Sequence, residues 1–167
     1  VHRSRMRCAI TPLSQFHLPY RDVRLVSPDG THLAAWDVPG GDGHKAVVVC
    51  HGLGADKEMF IGVVPFLHRA GYTVLMFDFR GHGASDGHTI SFGPGEAQDV
   101  RTAFAYMANH GYTNIIGYGF SMGGSALLYA VPGLPHLSGV VLDSSFADFG
   151  PLVSSVTGVL PLGSGKA

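Results

Sequence analysis

One pentapeptide in this chain, Gly119-Phe120-Ser121-Met122-Gly123, has the make-up of a covalent-catalysis site. It joins an apolar run ending at Gly119 to another that begins at Gly123, which predicts a sharp strand-to-helix bend. Such a bend strains the Ser121 backbone and projects its hydroxyl above the sheet. Side chains at positions 119 and 123 would collide with neighbouring elements, so glycine suits both. Gly124, Ser125 and Ala126 let the following helix pack close to the sheet. The helix N-terminus adds partial positive charge, and the Met122 amide can face a developing oxyanion. Two other readings use the same residues. One is an ordinary turn with a serine at the helix start. The other is a dinucleotide fingerprint, with Gly117-Tyr118-Gly119 opening a helix and Asp143 ending the next strand. The fingerprint fails at its third glycine, where Met122 stands, and its turn follows the third α/β strand rather than the first.

Two further loops carry polar groups that the same chemistry can use. His51-Gly52-Leu53-Gly54 follows an apolar run; its glycines let backbone approach a ligand, and the Leu53 amide is the second candidate oxyanion donor. Its plainer reading is a Gly-rich turn. Asp78-Phe79-Arg80-Gly81-His82-Gly83-Ala84-Ser85 follows the next apolar run and reads as architecture, with Asp78, Arg80 and Ser85 forming a buried polar network that braces the site. His51 and His82 read as hydrogen-bonding supports rather than a catalytic base. The chain has ten histidines, but His44, His51, His82 and His88 show no metal-ligand spacing, and no metal is expected.

The elements that must hold these loops follow from periodicity. Residues 23–27 and 31–38 flank Pro28-Asp29-Gly30 and predict a hairpin. Residues 47–50 form a continuous apolar run, as in a strand buried on both faces. Phe60, Val63, Val64 and Leu67 share a helical face, Pro65 falls in or near its first turn, and Gly71 stops it. Residues 73–79 predict a second buried strand. Ala97, Val100, Phe104 and Met107 mark the next helix, with Asp99 and Arg101 expected on its other face. A third strand over 114–119, a helix over 123–130 and a fourth strand over 138–143 complete the alternation. Alternating strands and helices imply a mostly parallel sheet covered on both faces, with ligands at the carboxyl ends of its strands. Residues 1–20 read as an N-terminal arm, 21–149 as the core, and the Gly-, Pro- and Ser-rich 150–167 as the start of a cap or loop insertion.

The 167 residues are 46% hydrophobic and 14% charged, with net charge −1. That composition fits one folded domain, and without a basic stripe no nucleic-acid partner is expected. Cys8 and Cys50 suggest no disulfide framework, and no apolar run nears the ~18 residues of a membrane helix. The expected setting is cytoplasmic, although the start at Val1 leaves an upstream signal or anchor open.

Taken together, the chain resembles the α/β-hydrolase superfamily from about residue 23 to residue 149. The motifs that carry this are Asp29-Gly30, His51-Gly52-Leu53-Gly54, Gly71-Tyr72, Asp78 to Gly83, Gly119 to Gly124, and Asp143-Ser144-Ser145-Phe146. It is most similar to bacterial hydrolases of the serine aminopeptidase/lysophospholipase-like type. The resemblance implies that Ser121 is the nucleophile and that Leu53 and Met122 supply the oxyanion hole. It also implies that the triad runs serine, acid, histidine along the chain. A dehalogenase of this fold would carry an aspartate in place of Ser121.

The only histidine after Ser121 is His136, which precedes the fourth strand and so falls at the wrong edge of the sheet. Asp143 ends a strand at the right edge, yet reads as structural, because the resemblance implies an acid on a later strand; Asp148 has no better claim. A whole domain of this type exceeds about 250 residues. The chain therefore reads as an N-terminal fragment without its last strands. The strand ending at Asp143 would then be an unpaired hydrophobic edge, and the piece alone would be inactive. The expected activity is hydrolysis of an ester, thioester or amide in a small-molecule acyl substrate, without a cofactor. The alternatives are a non-catalytic hydrolase-like binding domain and a cofactor-free haloperoxidase-type perhydrolase. Oligomeric state is left open.

Overall fold

A computed structural model describes residues 10–41 and 43–145. The expected cap start, with Asp148 and the Phe146 and Phe149 positions, lies outside the described residues. The first described element is a single helical turn, α1 (Pro12–Phe16), opened by Thr11, whose side chain accepts from the Ser14 amide. The hairpin follows as β1 (Arg21–Val26) and β2 (His32–Val38), paired antiparallel around a turn at Gly30, whose φ is +83°.

Six strands form one sheet in the order β1-β2-β4-β3-β5-β6. β3 (Lys45–Cys50), β4 (Thr73–Phe77), β5 (Asn114–Phe120) and β6 (Leu137–Asp143) are mutually parallel, and β2 joins β4 antiparallel. From the central β3 the chain first moves outward to β4, then returns to the other side for β5. Loops leaving β3 and β5 thus diverge over a crevice at the carboxyl edge, the place where open parallel sheets bind ligands.

Side-chain alternation divides the core between the two faces. Ala46, Val48 and Cys50 of β3, with Leu75 and Phe77 of β4, pack under α3 (Pro94–Asn109) and α4 (Met122–Ala130). Val47, Val49, Val74 and Met76 face the other way, against Trp36, Phe60, Val64 and Leu67. The expected single helix around residues 60–67 is divided. A 3-10 segment, Lys57–Val63, breaks at Phe60 (φ −108°, ψ 19°), and α2 (Val64–Arg69) starts afresh with Pro65 in its first turn. Proline has no amide to donate and a fixed φ, so it begins a helix more readily than it continues one.

One expectation for α3 is corrected. Ala97, Val100, Phe104 and Met107 are buried as expected, but Asp99 is fully buried beside them rather than on the outer face. Asp99 is held there by Arg80, whose Nη2 and Nε lie 2.7 and 3.0 Å from Oδ1. β4 is also shorter than expected. It ends at Phe77, and the Asp78 amide then donates to the Ala34 carbonyl at 2.8 Å. At the far edge, Val140, Val141 and Leu142 of β6 are exposed, and among the described residues no strand pairs with that edge.

Candidate active site

β5 runs directly into α4, and Ser121 is the one residue between them. Its backbone takes φ 49°, ψ −119°, a region that costs a non-glycine residue about 1–3 kcal/mol. The surroundings impose this bend. The Ser121 amide donates to the Asp143 carbonyl at 2.9 Å, while the Ser121 carbonyl accepts from Gly124 and Ser125 at 3.0 and 3.2 Å. One side of the residue therefore ends the β ladder and the other begins the helix.

The neighbouring glycines are there for want of space. A Cβ on Gly119 would run into the Gly124 backbone, one on Gly123 into the carbonyl oxygens of Cys50 and His51, and one on Gly124 into the Ser145 side chain. The start of α4 is thus seated on the end of β3. The loop after β3 is as tightly placed: a Cβ on Gly52 would stand 2.9 Å from a Phe120 ring carbon and 3.5 Å from the Ser121 Cβ. Among the described residues, neither the Leu53 nor the Met122 amide donates to a backbone carbonyl. Met122 opens α4, where an amide has no partner one turn back. Ser121 is half-buried, and its hydroxyl makes no hydrogen bond among the described residues.

His51 cannot serve as a base in this arrangement. The Phe79 amide donates to its Nε2 at 3.0 Å, so Nδ1 carries the proton and donates to the Gly52 carbonyl at 2.7 Å. Burial holds its pKa down at about 4, with the nearby His82 ring adding to the effect and the Gly52 carbonyl opposing it. The His82 ring lies against His51 at 5.1 Å. His82 Nδ1 is 2.9 Å from the Arg80 carbonyl, and Nε2 is buried with no partner among the described residues.

Asp78 and Ser85 are joined to each other, whereas Arg80 pairs elsewhere, so the three do not form one network. Asp78 accepts from the Lys57 amide (2.7 Å), from Lys57 Nζ (2.8 Å) and from the Ala84 amide (2.8 Å). The Ser85 hydroxyl donates to the Asp78 carbonyl at 2.6 Å. Arg80 reaches the other way, to Asp99 on α3 and to Asp29 of the hairpin turn at 2.9 Å. The hydrogen bonds that its guanidinium donates to Asp99 hold the Arg80 pKa well above its usual range. Sequence reasoning missed Lys57 and placed Asp99 on the wrong face. The signal for Asp99 was available: Glu96, Asp99, Val100, Ala103 and Met107 share one helical stripe, and all are buried.

Asp143 lies at the correct edge, with its carboxylate already engaged by the Tyr118 hydroxyl and by Ser144 Oγ, each at 3.0 Å. His136 lies at the opposite edge. Its carbonyl accepts from the Ile115 amide at the start of β5, roughly 20 Å of strand away from Ser121. Among the described residues, no three His, Cys, Asp or Glu side chains gather to hold a metal ion, and no helix is long and apolar enough to cross a membrane.

Comparison with known proteins identifies the family of this fold. The family described as "alpha/beta hydrolase fold" matches residues 45–160. The bovine (Bos taurus) phosphatidylserine lipase ABHD16A is 34% identical over 115 residues, 68% of this chain and 20% of that protein. The uncharacterised protein Rv2307c of Mycobacterium tuberculosis is 37% identical over 91 residues, 53% of this chain and 31% of that protein. Among solved structures, the Pyrococcus furiosus esterase Pf2001 superposes with a TM-score of 0.76 at 28% identity, covering 87% of this chain and 58% of that one. The chain thus spans less than two thirds of the length of each. The family match over residues 45–160 takes in more than half of the chain, and the chain belongs to the α/β-hydrolase fold family.

Proposed function

We propose that Ser121 is the nucleophile of an ester hydrolysis that proceeds through an acyl-enzyme. The Ser121 oxygen attacks the ester carbonyl while its proton passes to a histidine base. The tetrahedral oxyanion is met by the amides of Met122 and Leu53. The alcohol leaves with the base's proton, and water releases the acid by the same steps in reverse. The observation that carries this reading is the strained serine between β5 and α4, with the residue 51–54 loop packed against it.

The base and its acid partner are assigned beyond residue 167. His51 is held neutral with its acceptor nitrogen occupied, and His136 stands at the opposite edge. Asp143 is assigned a structural role. An ester is favoured over an amide by the similarity to a phosphatidylserine lipase and an archaeal esterase. The substrate is a small acyl compound, and the mechanism calls for no cofactor.

The test treats the protein at its full length with a fluorophosphonate probe. Stoichiometric labelling that disappears in Ser121→Ala supports the reading. Folded protein that takes no label favours the non-catalytic binding domain. For the 167-residue chain alone, negligible p-nitrophenyl acetate turnover is expected, and turnover that depends on Ser121 would overturn the placement of the base.

A further inference from the structure

The loop that offers the Leu53 amide is fastened at both ends to one short stretch of chain. At its start, His51 Nε2 accepts from the Phe79 amide. At its end, the amide and the ammonium of Lys57 both bind Asp78, at 2.7 and 2.8 Å. Between these points the Gly52 carbonyl accepts from the Ala55 amide at 3.3 Å and from His51 Nδ1, and Asp56 accepts from the Glu58 and Met59 amides. Leu53 itself is exposed.

Lys57 is an unusual choice for such a fastening. Lysine is almost never fully buried unless paired, yet its side chain is 4% exposed and that of Asp78 is wholly buried. The ammonium also lies 4.9 Å above the Trp36 ring. Trp36 is fixed in the sheet by its β4 neighbour Met76 and by its indole bond to Asp22 at 3.0 Å. The cation is thus held from two sides, by a carboxylate and by an aromatic face, and the chain at residue 57 is held with it. The Asp78 carboxylate carries the same restraint to the residue 78–85 loop through the Ala84 amide.

We infer that Lys57 is a positioning residue for ester hydrolysis, anchoring through Asp78 and Trp36 the loop whose Leu53 amide receives the oxyanion. This rests on the assignment of Ser121 and Leu53 above. An oxyanion donor acts by being in place before charge develops, and a shift of about 1 Å in such a group costs up to ~100-fold in rate. Loosening the loop end should therefore weaken transition-state binding while leaving substrate binding almost unchanged.

The experiment compares Lys57→Met with the parent in the full-length protein, using p-nitrophenyl butyrate and an alkyl trifluoromethyl ketone as the tetrahedral mimic. Active sites are counted by fluorophosphonate titration. Per titrated site, kcat should fall ~10- to 100-fold with KM within about twofold, and the ketone Ki should rise by the same factor as kcat/KM falls. Lys57→Arg, which keeps a cation for Asp78 and Trp36, should recover most of the loss. A purely structural role would lower the number of titratable sites and leave kcat per site and Ki alone, and that result overturns the proposal. If Lys57→Met does not fold, Lys57→Gln, which keeps one donor for Asp78, decides by the same comparison. A parent protein that takes no fluorophosphonate at all overturns the Ser121 assignment instead.

Discussion

The buried His51 makes the stability of this fold depend on pH in a calculable way. Its pKa is held down at about 4, chiefly by burial, against 6.5 for a free imidazole. The unfolded chain therefore binds more protons than the folded one between those values. The contribution of His51 is fully present above pH 6.5 and is lost as pH falls from 6.5 towards 4. A shift of this size corresponds to roughly 3 kcal/mol at the acid end. Urea unfolding from pH 7.5 to 4, followed by fluorescence of Trp36, the single tryptophan, measures the total. Carboxylates titrate in the same range, so the informative quantity is the difference between the parent and His51→Gln. Gln offers an oxygen to the Phe79 amide in place of Nε2 and cannot titrate. The stability of the parent relative to this variant should fall by about 3 kcal/mol between pH 7 and 4. A relative stability that stays flat across that range would show that His51 takes up its proton in the fold at no cost, so that Nε2 is not held as the acceptor of the Phe79 amide, and the tautomer argument against it as a base would fail.

Two further outcomes follow from the packing. Arg80→Met leaves the Asp99 carboxylate buried without its cation and should destabilise the fold by about 3–5 kcal/mol in urea unfolding at pH 7, more than Asp99→Asn. Equal effects would mean that the pair is not held as a buried charge. Val141→Lys places a charge on the exposed apolar edge of β6, where an unpaired strand invites association. The 167-residue variant should remain monomeric in light scattering at concentrations where the parent chain associates, with a melting temperature within a few degrees of it. Identical association of the two chains would show that this edge is not the sticking surface.

What could be read in advance, and what could not, divides along a physical line. The strands were legible because burial on both faces writes itself as unbroken apolar runs, as in Val47, Val48, Val49 and Cys50. The bend at Ser121 was legible because its glycines stand where backbone meets backbone: a Cβ at 123 would strike two carbonyls, and no other residue type answers that constraint. Lys57 was not legible, because a buried charge looks in sequence like an exposed one, and for Asp99 the helical stripe marked the burial but not the partner. The stripe of α3 places Asp99 with Val100, Ala103 and Met107 and leaves Arg101 off it; what residues 94–109 do not contain is the partner, Arg80, which arrives from the loop after β4. Lys57 is likewise buried only because Asp78 and Trp36, 21 positions later and 21 earlier, meet beneath it. Apolar patterning and steric need are local in the chain, whereas compensation of a buried charge requires partners from other elements. In this protein the polar braces come from the crossing of three loops, so they appear only when the β2–β4 and β3–β4 registers are known. The reading of residues 51–54 as a loop that offers the Leu53 amide is likewise silent on what holds that loop, and that anchor is where Lys57 enters.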